Sequence, residues 1–324
     1  MMSVEEILAP ISSDFARYEK LYDSLSLSPD GMLGDVMSYV LSTHGKRMRV
    51  LLTLLSSKIS GEVNEKSIMT ALIMELMHTA SLIHDDVVDG SDMRRGMPSV
   101  NAHWGNKVAV LSGDYLLSRV VELLSELRNV RILGIVSEMG KSLSEGELLE
   151  LRWGKDRWLS EDEYFRMIEK KTACLFSSCC EAGAVSGGGS VRAVSALSSF
   201  GEYLGMCFQL QDDILDYSDS EELGKPVLGD IRDGKVTLPL IKSMERASVQ
   251  ERERIRFLLS GQSLTQMEEE EIRSFVLRFD GVGYTRRKML EYRDMAIDCM
   301  CVFRDSELKR SLFGVLEYSI NRLK

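Results

Sequence analysis

The chain has 324 residues and a formal net charge of −10, with 44% hydrophobic and 28% charged residues. This length can bury one large core, and the acidic balance argues against general nucleic-acid binding. No proline- or glycine-rich linker divides the sequence, so residues 1–324 are predicted to form a single domain.

Targeting and redox patterns point to the cytoplasm. The N-terminus has no signal pattern, and Glu75 and His78 interrupt the most apolar segment before it is long enough to span a bilayer. The six cysteines include no C-x-x-C pair, so neither zinc-finger spacing nor a disulfide framework is supported. We therefore expect a cytoplasmic protein with reduced cysteines and no stable membrane span.

The N-terminal part is predicted to be helical apart from one basic loop. Residues 3–25 have the apolar period of an amphipathic helix, with Pro10 near the start, where proline is better tolerated. A glycine-containing loop between the next helical segments carries Lys46 and Arg49. Ammonium and guanidinium groups suit a loop that wraps an anion, although such a basic run taken alone is more often a solvated turn.

The longest predicted helix covers about residues 66–90 and ends in a cluster of aspartates. Asp85, Asp86 and Asp89 follow a long apolar run, and His78 lies two turns earlier. Residues four apart lie on one helix face, so Asp85 and Asp89 present a pair of carboxylates. Such a pair is suited to holding a divalent cation.

Two arginines directly follow this cluster. Arg94 and Arg95 offer fixed, planar donors, which suit a diphosphate that also touches a nearby metal. His103 and Trp104 are predicted to lie in a loop before a helix covering about 107–127. The next helix covers about 130–151 and carries several glutamates near its end.

A capping box at residues 160–163 predicts the start of another helix, which runs to about Glu181. It contains Lys171 and Thr172. Residues 191–217 are predicted to form the next long helix, which carries Gln209.

The end of helix 191–217 repeats the D-D-x-x-D spacing in Asp212, Asp213 and Asp216. The charged loop at 218–236 follows it and carries Lys225 and Lys235, which makes it a candidate lid. No segment shows the two-residue alternation of a sheet, and the 3.6-residue period recurs to the C-terminus. The sequence therefore predicts an all-α fold of roughly a dozen helices.

The two aspartate clusters together predict a magnesium site. One D-D-x-x-D motif alone is usually a solvated helix face, but both copies follow apolar runs that are typical of buried helices. Two carboxylates about 4 Å apart near a protein surface repel by roughly 4 kcal/mol, so cations are expected between them. All-oxygen ligands favour Mg²⁺, which is commonly completed by phosphate and water oxygens.

These motifs, in this order, resemble the trans-isoprenyl diphosphate synthases, also called polyprenyl synthetases, across nearly the whole chain. The resemblance implies a large, mostly antiparallel helical bundle of the isoprenoid synthase type, with the two motifs facing each other across a central cavity and binding three Mg²⁺ ions. It also implies a homodimer.

The resemblance assigns roles to particular residues. It implies that six aspartates bind metal: Asp85, Asp86, Asp89, Asp212, Asp213 and Asp216. Of these, Asp85, Asp89 and Asp212 are the likeliest direct ligands. An isopentenyl diphosphate site is implied for Lys46, Arg49, His78 and Arg95. Groups around an allylic diphosphate are implied for Arg94, Lys171, Thr172, Gln209 and Lys235, with Lys225 nearby.

The implied reaction is the ionisation of an allylic diphosphate, followed by attack of isopentenyl diphosphate and loss of a proton. Dimethylallyl, geranyl or farnesyl diphosphate would be the allylic substrate. Ala80 and Ser81, just before Asp85, are small, whereas aromatic side chains there would close the pocket early. The resemblance therefore implies an all-trans long-chain product, octaprenyl or near.

Several alternatives remain at this stage. A geranylgeranyl or farnesyl diphosphate synthase is the nearest one, and a non-catalytic subunit of a heteromeric prenyl synthase is another. The E-x-x-H motif at Glu75–His78 is typical of di-iron carboxylate proteins, but no second copy exists. The segment Gly229–Lys235 resembles a P-loop, but Val236 occupies the Ser/Thr position and no strand precedes it.

Overall fold

The computed structural model describes residues 2–25, 31–42, 45, 47–153, 159–218, 228–261 and 264–322, and most of them are helical. The all-α prediction is confirmed, with one small addition. Two-residue strands, Met93–Arg94 and Met97–Pro98, pair antiparallel directly after the first aspartate cluster.

The helices of the described residues follow one another with short connections. In chain order they are α1 (Val4–Leu8), α2 (Ser12–Leu25), α3 (Met32–Ser42), α4 (Met48–Ser60), α5 (Glu65–Val88), α6 (Val100–Trp104), α7 (Asn106–Leu127), α8 (Val130–Trp153), α9 (Glu161–Ile168), α10 (Cys174–Ser186), α11 (Val191–Leu215), α12 (Gly229–Arg232), α13 (Leu238–Arg246), α14 (Val249–Leu259), α15 (Gln266–Arg278), α16 (Gly281–Cys299) and α17 (Glu307–Asn321). A π-helical segment, Glu169–Ala173, joins α9 to α10.

Helices α5, α10 and α11 form the centre of the bundle. Helix α4 packs on α10, α7 packs on α5, and α16 packs on α11. Helix α5 is apolar around most of its circumference, so most of its side chains are buried. The two central helices that end in aspartates, α5 and α11, are therefore held by the main core rather than by surface contacts.

Glycines let α10 touch its neighbours at the level of the backbone. A β-carbon at Gly183 would lie 2.3 Å from the carbonyl oxygen of Thr53 on α4, and one at Gly201 of α11 would lie 2.5 Å from that of Phe176. Real β-carbons do not approach oxygens this closely. Only glycine permits this spacing of α4, α10 and α11.

Both predicted aspartate helices are confirmed, with small differences in their ends. Asn64 caps the start of α5 with its side chain, and Asp89 is the C-cap residue of that helix. Ser190 caps the start of α11, and Asp216 is its C-cap residue. Each cluster therefore spans the last turn of a long helix, where the backbone leaves the helical path.

Three local predictions were wrong, and one of them is the loop position of Arg49, which lies in the first turn of α4. The helix predicted at residues 3–25 is interrupted by a 3₁₀ turn, Ala9–Ile11, because Pro10 lacks an N–H and its ring clashes with the preceding turn. His103 and Trp104 lie on the short helix α6 rather than in a loop, since the Ser99 hydroxyl caps its start.

The hairpin after the first cluster has a tight two-residue turn. Arg95 and Gly96 both have positive φ, at 52° and 79°, as a two-residue hairpin turn of the primed type requires. This turn sends Arg94 back towards the end of α5. It also places the Arg95 guanidinium against Gly45, where a β-carbon would lie 2.8 Å from Cζ.

The cysteine prediction is consistent with the structure, in which all six cysteines are free thiols. Among the described residues no helix is long and apolar enough to cross a membrane. The cytoplasmic location stays a prediction.

Candidate active site

A cavity with a volume of about 500 Å³ lies where α5 and α11 end. Carboxylates from both clusters line it: Asp85 and Asp89 from the first, and Asp212 and Asp213 from the second. Three predicted cations, Arg94, Lys171 and Lys235, and the predicted polar pair Thr172 and Gln209 line it as well. Distant parts of the sequence thus meet at one concave surface.

The π-helical segment brings Lys171 and Thr172 to the cavity. Its wider turn inserts one extra residue into the helix, a device often found at functional sites. Helix α8 approaches this segment closely at Gly146, where a β-carbon would lie 2.6 Å from the Lys171 backbone nitrogen. The backbone of α8 and the lysine are therefore packed directly against each other.

In the first cluster, the three aspartates have different surroundings. Burial, together with the nearby Glu147 carboxylate, raises the pKa of Asp85 to about 7. Asp89 lies 3.7 Å from the Lys235 ammonium. Asp86 is buried outside the cavity lining and accepts a hydrogen bond of 2.8 Å from Arg94 Nε.

The second cluster also divides its roles. Asp212 is partly exposed and lies 2.6 Å from the guanidinium of Arg322. Asp216 accepts a hydrogen bond of 2.8 Å from the Gly229 backbone N–H and is not part of the cavity lining. Asp216 therefore holds the start of α12, while Asp212 faces the cavity.

Asp213 is fully buried and belongs to a hydrogen-bonded chain. Thr172 donates to the side-chain oxygen of Gln209 at 2.9 Å, and the Gln209 amide donates to Asp213 at 3.1 Å. The Tyr164 hydroxyl donates to the other Asp213 oxygen. Burial and the neighbouring Asp230 carboxylate raise the pKa of Asp213 well above its usual range.

Lys171 is held by two carboxylates of α8. Its ammonium donates to Glu147 at 2.8 Å and also to Glu150. Burial opposes the charge on Lys171, but the two carboxylates outweigh burial and raise its pKa. Two of the three N–H donors of this charged lysine are therefore taken by carboxylates.

Asp230 adds a further carboxylate on the far wall. It lines the cavity, and burial together with the nearby Asp216 carboxylate raises its pKa to about 7. Asp233 and Lys235 follow it on the same wall. The side of the cavity beyond α11 is therefore more acidic than the D-D-x-x-D motif alone implies.

Comparison with known proteins decides the family. Residues 30–276 match the family described as polyprenyl synthetase. The chain is 35% identical to the octaprenyl diphosphate synthase of Haemophilus influenzae, over 99% of this chain and 98% of that one. The chain belongs to the polyprenyl synthetase family.

Two further similarities span a range of products and ligands. A short chain isoprenyl diphosphate synthase of Methanothermobacter thermautotrophicus is also 35% identical, over 99% of both chains. The crystal structure of a polyprenyl synthase from Caulobacter crescentus, complexed with calcium and isoprenyl diphosphate, has a TM-score of 0.91 at 32% identity, covering 99% of this chain and 98% of that one.

These findings confirm that this polyprenyl synthetase is an enzyme, a prenyltransferase with the isoprenoid synthase helical fold. Prenyl diphosphate substrates are consistent with the family, whose members are Mg²⁺-dependent. Relatives of equal identity make short and long products, so identity alone does not set the product length.

The residues predicted to bind isopentenyl diphosphate lie beside the main cavity rather than in its lining. Arg49 is partly buried beside the Phe176 ring, and within the described chain its buried Nε has no hydrogen-bond partner. Burial, followed by the charges of Arg49, Arg95 and Arg94, lowers the pKa of His78 well below its usual range. A neutral histidine is thus surrounded by three arginines.

Two predicted cations, Lys46 and Lys225, lie outside the described residues. Of the remaining site residues, Asp86 and Asp216 contact Arg94 and Gly229 instead of lining the cavity, and their metal-binding role stays a prediction. The described residues contain no group of three His, Cys, Asp or Glu that could hold a metal by itself.

Several functional candidates escaped the sequence-based reasoning. Tyr164 and Arg322 lie far along the chain from the aspartates that they contact, and no motif marks them. Glu147 and Glu150 were noted only as acidic residues near the end of a helix. Asp230 lies in the Gly229–Lys235 segment that resembles a P-loop, and its high local density of aspartates was the available signal.

Proposed function

We propose that this polyprenyl synthetase condenses isopentenyl diphosphate with an allylic diphosphate and makes an all-trans long-chain product, octaprenyl or near. One observation carries the proposal. Asp85, Asp89 and Asp212 line a single cavity, and Lys171, Arg94 and Lys235 line it too. Acidic groups for cations and basic groups for a diphosphate are thus gathered at one place.

The cavity carboxylates fit magnesium. Asp85 and Asp89 on one side and Asp212 on the other would hold the ions, and three ions are proposed from the resemblance. The raised pKa of Asp85 supports this, because crowded, buried carboxylates are those that a cation relieves. When bound, Mg²⁺ supplies neutralisation of the charge that develops on a departing diphosphate.

The chain's own residues would orient and protect the allylic substrate. Lys171, Arg94 and Lys235 would bind its diphosphate oxygens. The Thr172 hydroxyl and the Gln209 amide line the same cavity, where their dipoles would face the developing allylic cation. Apolar walls exclude water, which would otherwise quench the cation: Leu82, Leu159, Met167 and Ile168.

The second substrate would bind to the adjoining basic cluster. The charges of Arg49, Arg95 and Arg94 all act on His78, so a diphosphate would bind among these residues. The buried Nε of Arg49 has no partner within the described chain, which supports this, because a buried donor without an acceptor is costly unless a ligand supplies one. Lys46 completes this set as a prediction.

The path of the growing product is proposed to lie between α5 and α8. Asp85 lies beside Glu147, and two turns earlier on both helices the Met77 methyl group meets Gly140. Ser81 shares this face of α5 and is small, so the first turn below the aspartates is open. Met77 is a flexible side chain at the next turn, and it is the proposed floor.

The product length is tested by sizing products formed from isopentenyl diphosphate, Mg²⁺ and each allylic primer. We expect the purified chain alone to make products of about eight isoprene units. Ser81→Phe should shorten them to geranylgeranyl or less, because the ring fills the path, whereas Ser81→Ala should leave the length unchanged. If the natural chain makes farnesyl diphosphate and nothing longer, a long-chain product is refuted. If the purified chain makes no product by itself, a non-catalytic subunit is favoured.

A homodimer is also proposed. Large apolar side chains on α7 and α8, among them Leu111, Val121 and Leu148, are more than half exposed, and a second copy of the chain would cover them. Native mass measurement should give twice the chain mass. Leu111→Glu should shift the protein to monomers, whereas Val191→Glu, at an equally exposed position on α11, should not. A monomeric natural chain would contradict the proposal.

A further inference from the structure

Among the described cations that line the cavity, Lys171 is the one bound to two carboxylates at once. Its ammonium donates to Glu147 at 2.8 Å and to Glu150, and all three side chains are only about one-fifth exposed, at 23%, 21% and 20%. This group of three carries one net negative charge. Two of the three N–H donors of the Lys171 ammonium are occupied, so a diphosphate must compete with both carboxylates for this charge.

The neighbouring lysine provides an internal contrast. Lys170 donates to Glu145 alone, and neither residue lines the cavity. Both ion pairs join α8 to the π-helical segment, so one carboxylate is enough to connect the two elements. The second carboxylate on Lys171 therefore needs a reason other than helix packing.

The position of the two glutamates suggests that reason. Glu150 lines the cavity with Asp85 and Asp89, and Glu147 is close enough to Asp85 to raise its pKa. A diphosphate without metal would meet the lining carboxylates of Asp85, Asp89 and Glu150, and like charges about 4 Å apart near a protein surface repel by roughly 4 kcal/mol. Asp85 and Asp89 would hold a divalent cation that offsets this repulsion, and Glu147 and Glu150 would then have a second positive charge to attract them away from Lys171.

We propose that Glu147 and Glu150 are positioning residues that occupy Lys171 until divalent cations are bound, so that the site accepts a diphosphate only as its metal complex. The inference rests on the proposed function, in which Lys171 binds the allylic diphosphate. Its consequence is selectivity: free diphosphate and other metal-free anions do not occupy the cavity. Two glutamates on α8 thereby make the binding of diphosphate depend on the binding of divalent cations.

Calorimetric titration with inorganic pyrophosphate, in EDTA and then in Mg²⁺, tests this directly. The natural protein should bind pyrophosphate only with Mg²⁺. Glu150→Gln and Glu147→Gln should bind it in EDTA roughly ten- to a hundredfold more tightly than the natural protein does, since each frees a charged donor. With Mg²⁺ present, all three proteins should agree within about threefold, because the cations already release Lys171.

Two further variants separate positioning from packing. Glu145→Gln breaks the single pair with Lys170 and should leave the metal requirement unchanged. Glu150→Asp keeps the charge and should restore the metal requirement that Glu150→Gln removes. Thermal unfolding of each variant establishes that it is folded, and either glutamine variant suffices for the test if the other does not fold.

The possible failures are distinguishable. If folded Glu147→Gln and Glu150→Gln bind no more tightly than the natural protein in EDTA, the inference is overturned and the proposed function stands. If the natural protein does not bind pyrophosphate even with Mg²⁺, the proposed diphosphate site is overturned and the inference falls with it. Equal binding of the natural protein in EDTA and Mg²⁺ would also overturn the inference.

Discussion

The two aspartate clusters have the same spacing and the same place at a helix end, yet the structure uses them differently. The first turns its outer pair, Asp85 and Asp89, into the cavity and gives its middle aspartate to an arginine. The second turns its adjacent pair, Asp212 and Asp213, into the cavity and gives its last aspartate to a backbone N–H. A shared motif therefore does not imply shared contacts.

The difference follows from what comes after each helix. A tight hairpin follows α5 and returns Arg94 to the middle aspartate, Asp86. After α11 the described chain resumes at Leu228, and the start of α12 takes Asp216 as its acceptor. The helix sets the spacing of the carboxylates, whereas the following segment decides which of them remain for ligands.

The first members of the clusters should give the largest effect. Asp85→Ala and Asp212→Ala should each lower kcat/KM by about a thousandfold or more, since several kcal/mol of charge stabilisation is lost. The measurement is steady-state incorporation of isopentenyl diphosphate at saturating Mg²⁺. Activity within threefold of the natural enzyme in either variant would contradict a joint role of the two clusters at one cavity.

The last members should separate the clusters most clearly. Asp89→Asn should raise the Mg²⁺ concentration for half-maximal activity roughly ten- to a hundredfold, by analogy with the loss of groups that support a metal site. Asp216→Asn should instead lower the free energy of unfolding by about 1 kcal/mol, because it weakens the bond to Gly229 N–H. Magnesium titration and urea unfolding measure both variants. Equal changes in the half-maximal Mg²⁺ concentration and in the free energy of unfolding would mean that the two clusters are equivalent.

The middle members are distinguished by their partners. Tyr164→Phe removes the hydroxyl that donates to buried Asp213, and should lower the free energy of unfolding by about 1 to 3 kcal/mol. Tyr284→Phe is a matched control, since its hydroxyl donates to Glu161 at a less buried site and should cost less. Urea unfolding measures both, and a larger loss at Tyr284 would contradict the importance of the Asp213 network.

The smallest effect concerns pH. The pKa of Asp85 is about 7 in the folded protein and near 4 in an unfolded chain, so the folded state binds more protons between these values. Without metal, stability is therefore lost as pH rises through this window. Asp85→Asn should raise the Tm at pH 8 and have a smaller effect at pH 5.

A control for this prediction lies on the following loop. Asp92 is exposed, and Asp92→Asn should change the Tm little at either pH. Scans would be made in EDTA at both pH values. If Asp85→Asn increases the Tm more at pH 5 than at pH 8, the raised pKa of Asp85 is contradicted.

Much of the fold and the core of the site could be predicted because they depend on periodicity. Apolar residues at helical spacing fix α5 and α11, and the same period places Asp85 with Asp89 on one face. The hydrophobic pattern did not predict the hairpin after α5 or the 3₁₀ turn at Pro10. Those features depend on the conformation of a few residues, which hydrophobic pattern does not encode.

The pairing of charges could not be predicted in the same way. Lys171, Asp212 and Asp213 were identified as site residues, but their partners Glu150, Arg322 and Tyr164 come from other helices or from the chain end. A sequence does not show which of many distant charges a fold will bring together. The π-helical turn was equally hidden, since its residues also suit an α-helix.

The glycine contacts of α10 have a consequence for redesign. Gly183 and Gly201 let the backbones of neighbouring helices touch. The separation of α4, which carries Arg49, from α11, which carries Asp212, is therefore set by backbone contacts and not by exchangeable side chains. Repacking that part of the interior would not widen the enzyme. Attempts to change its product are better directed at the opposite boundary, where Met77 rests on Gly140 and can adopt other shapes.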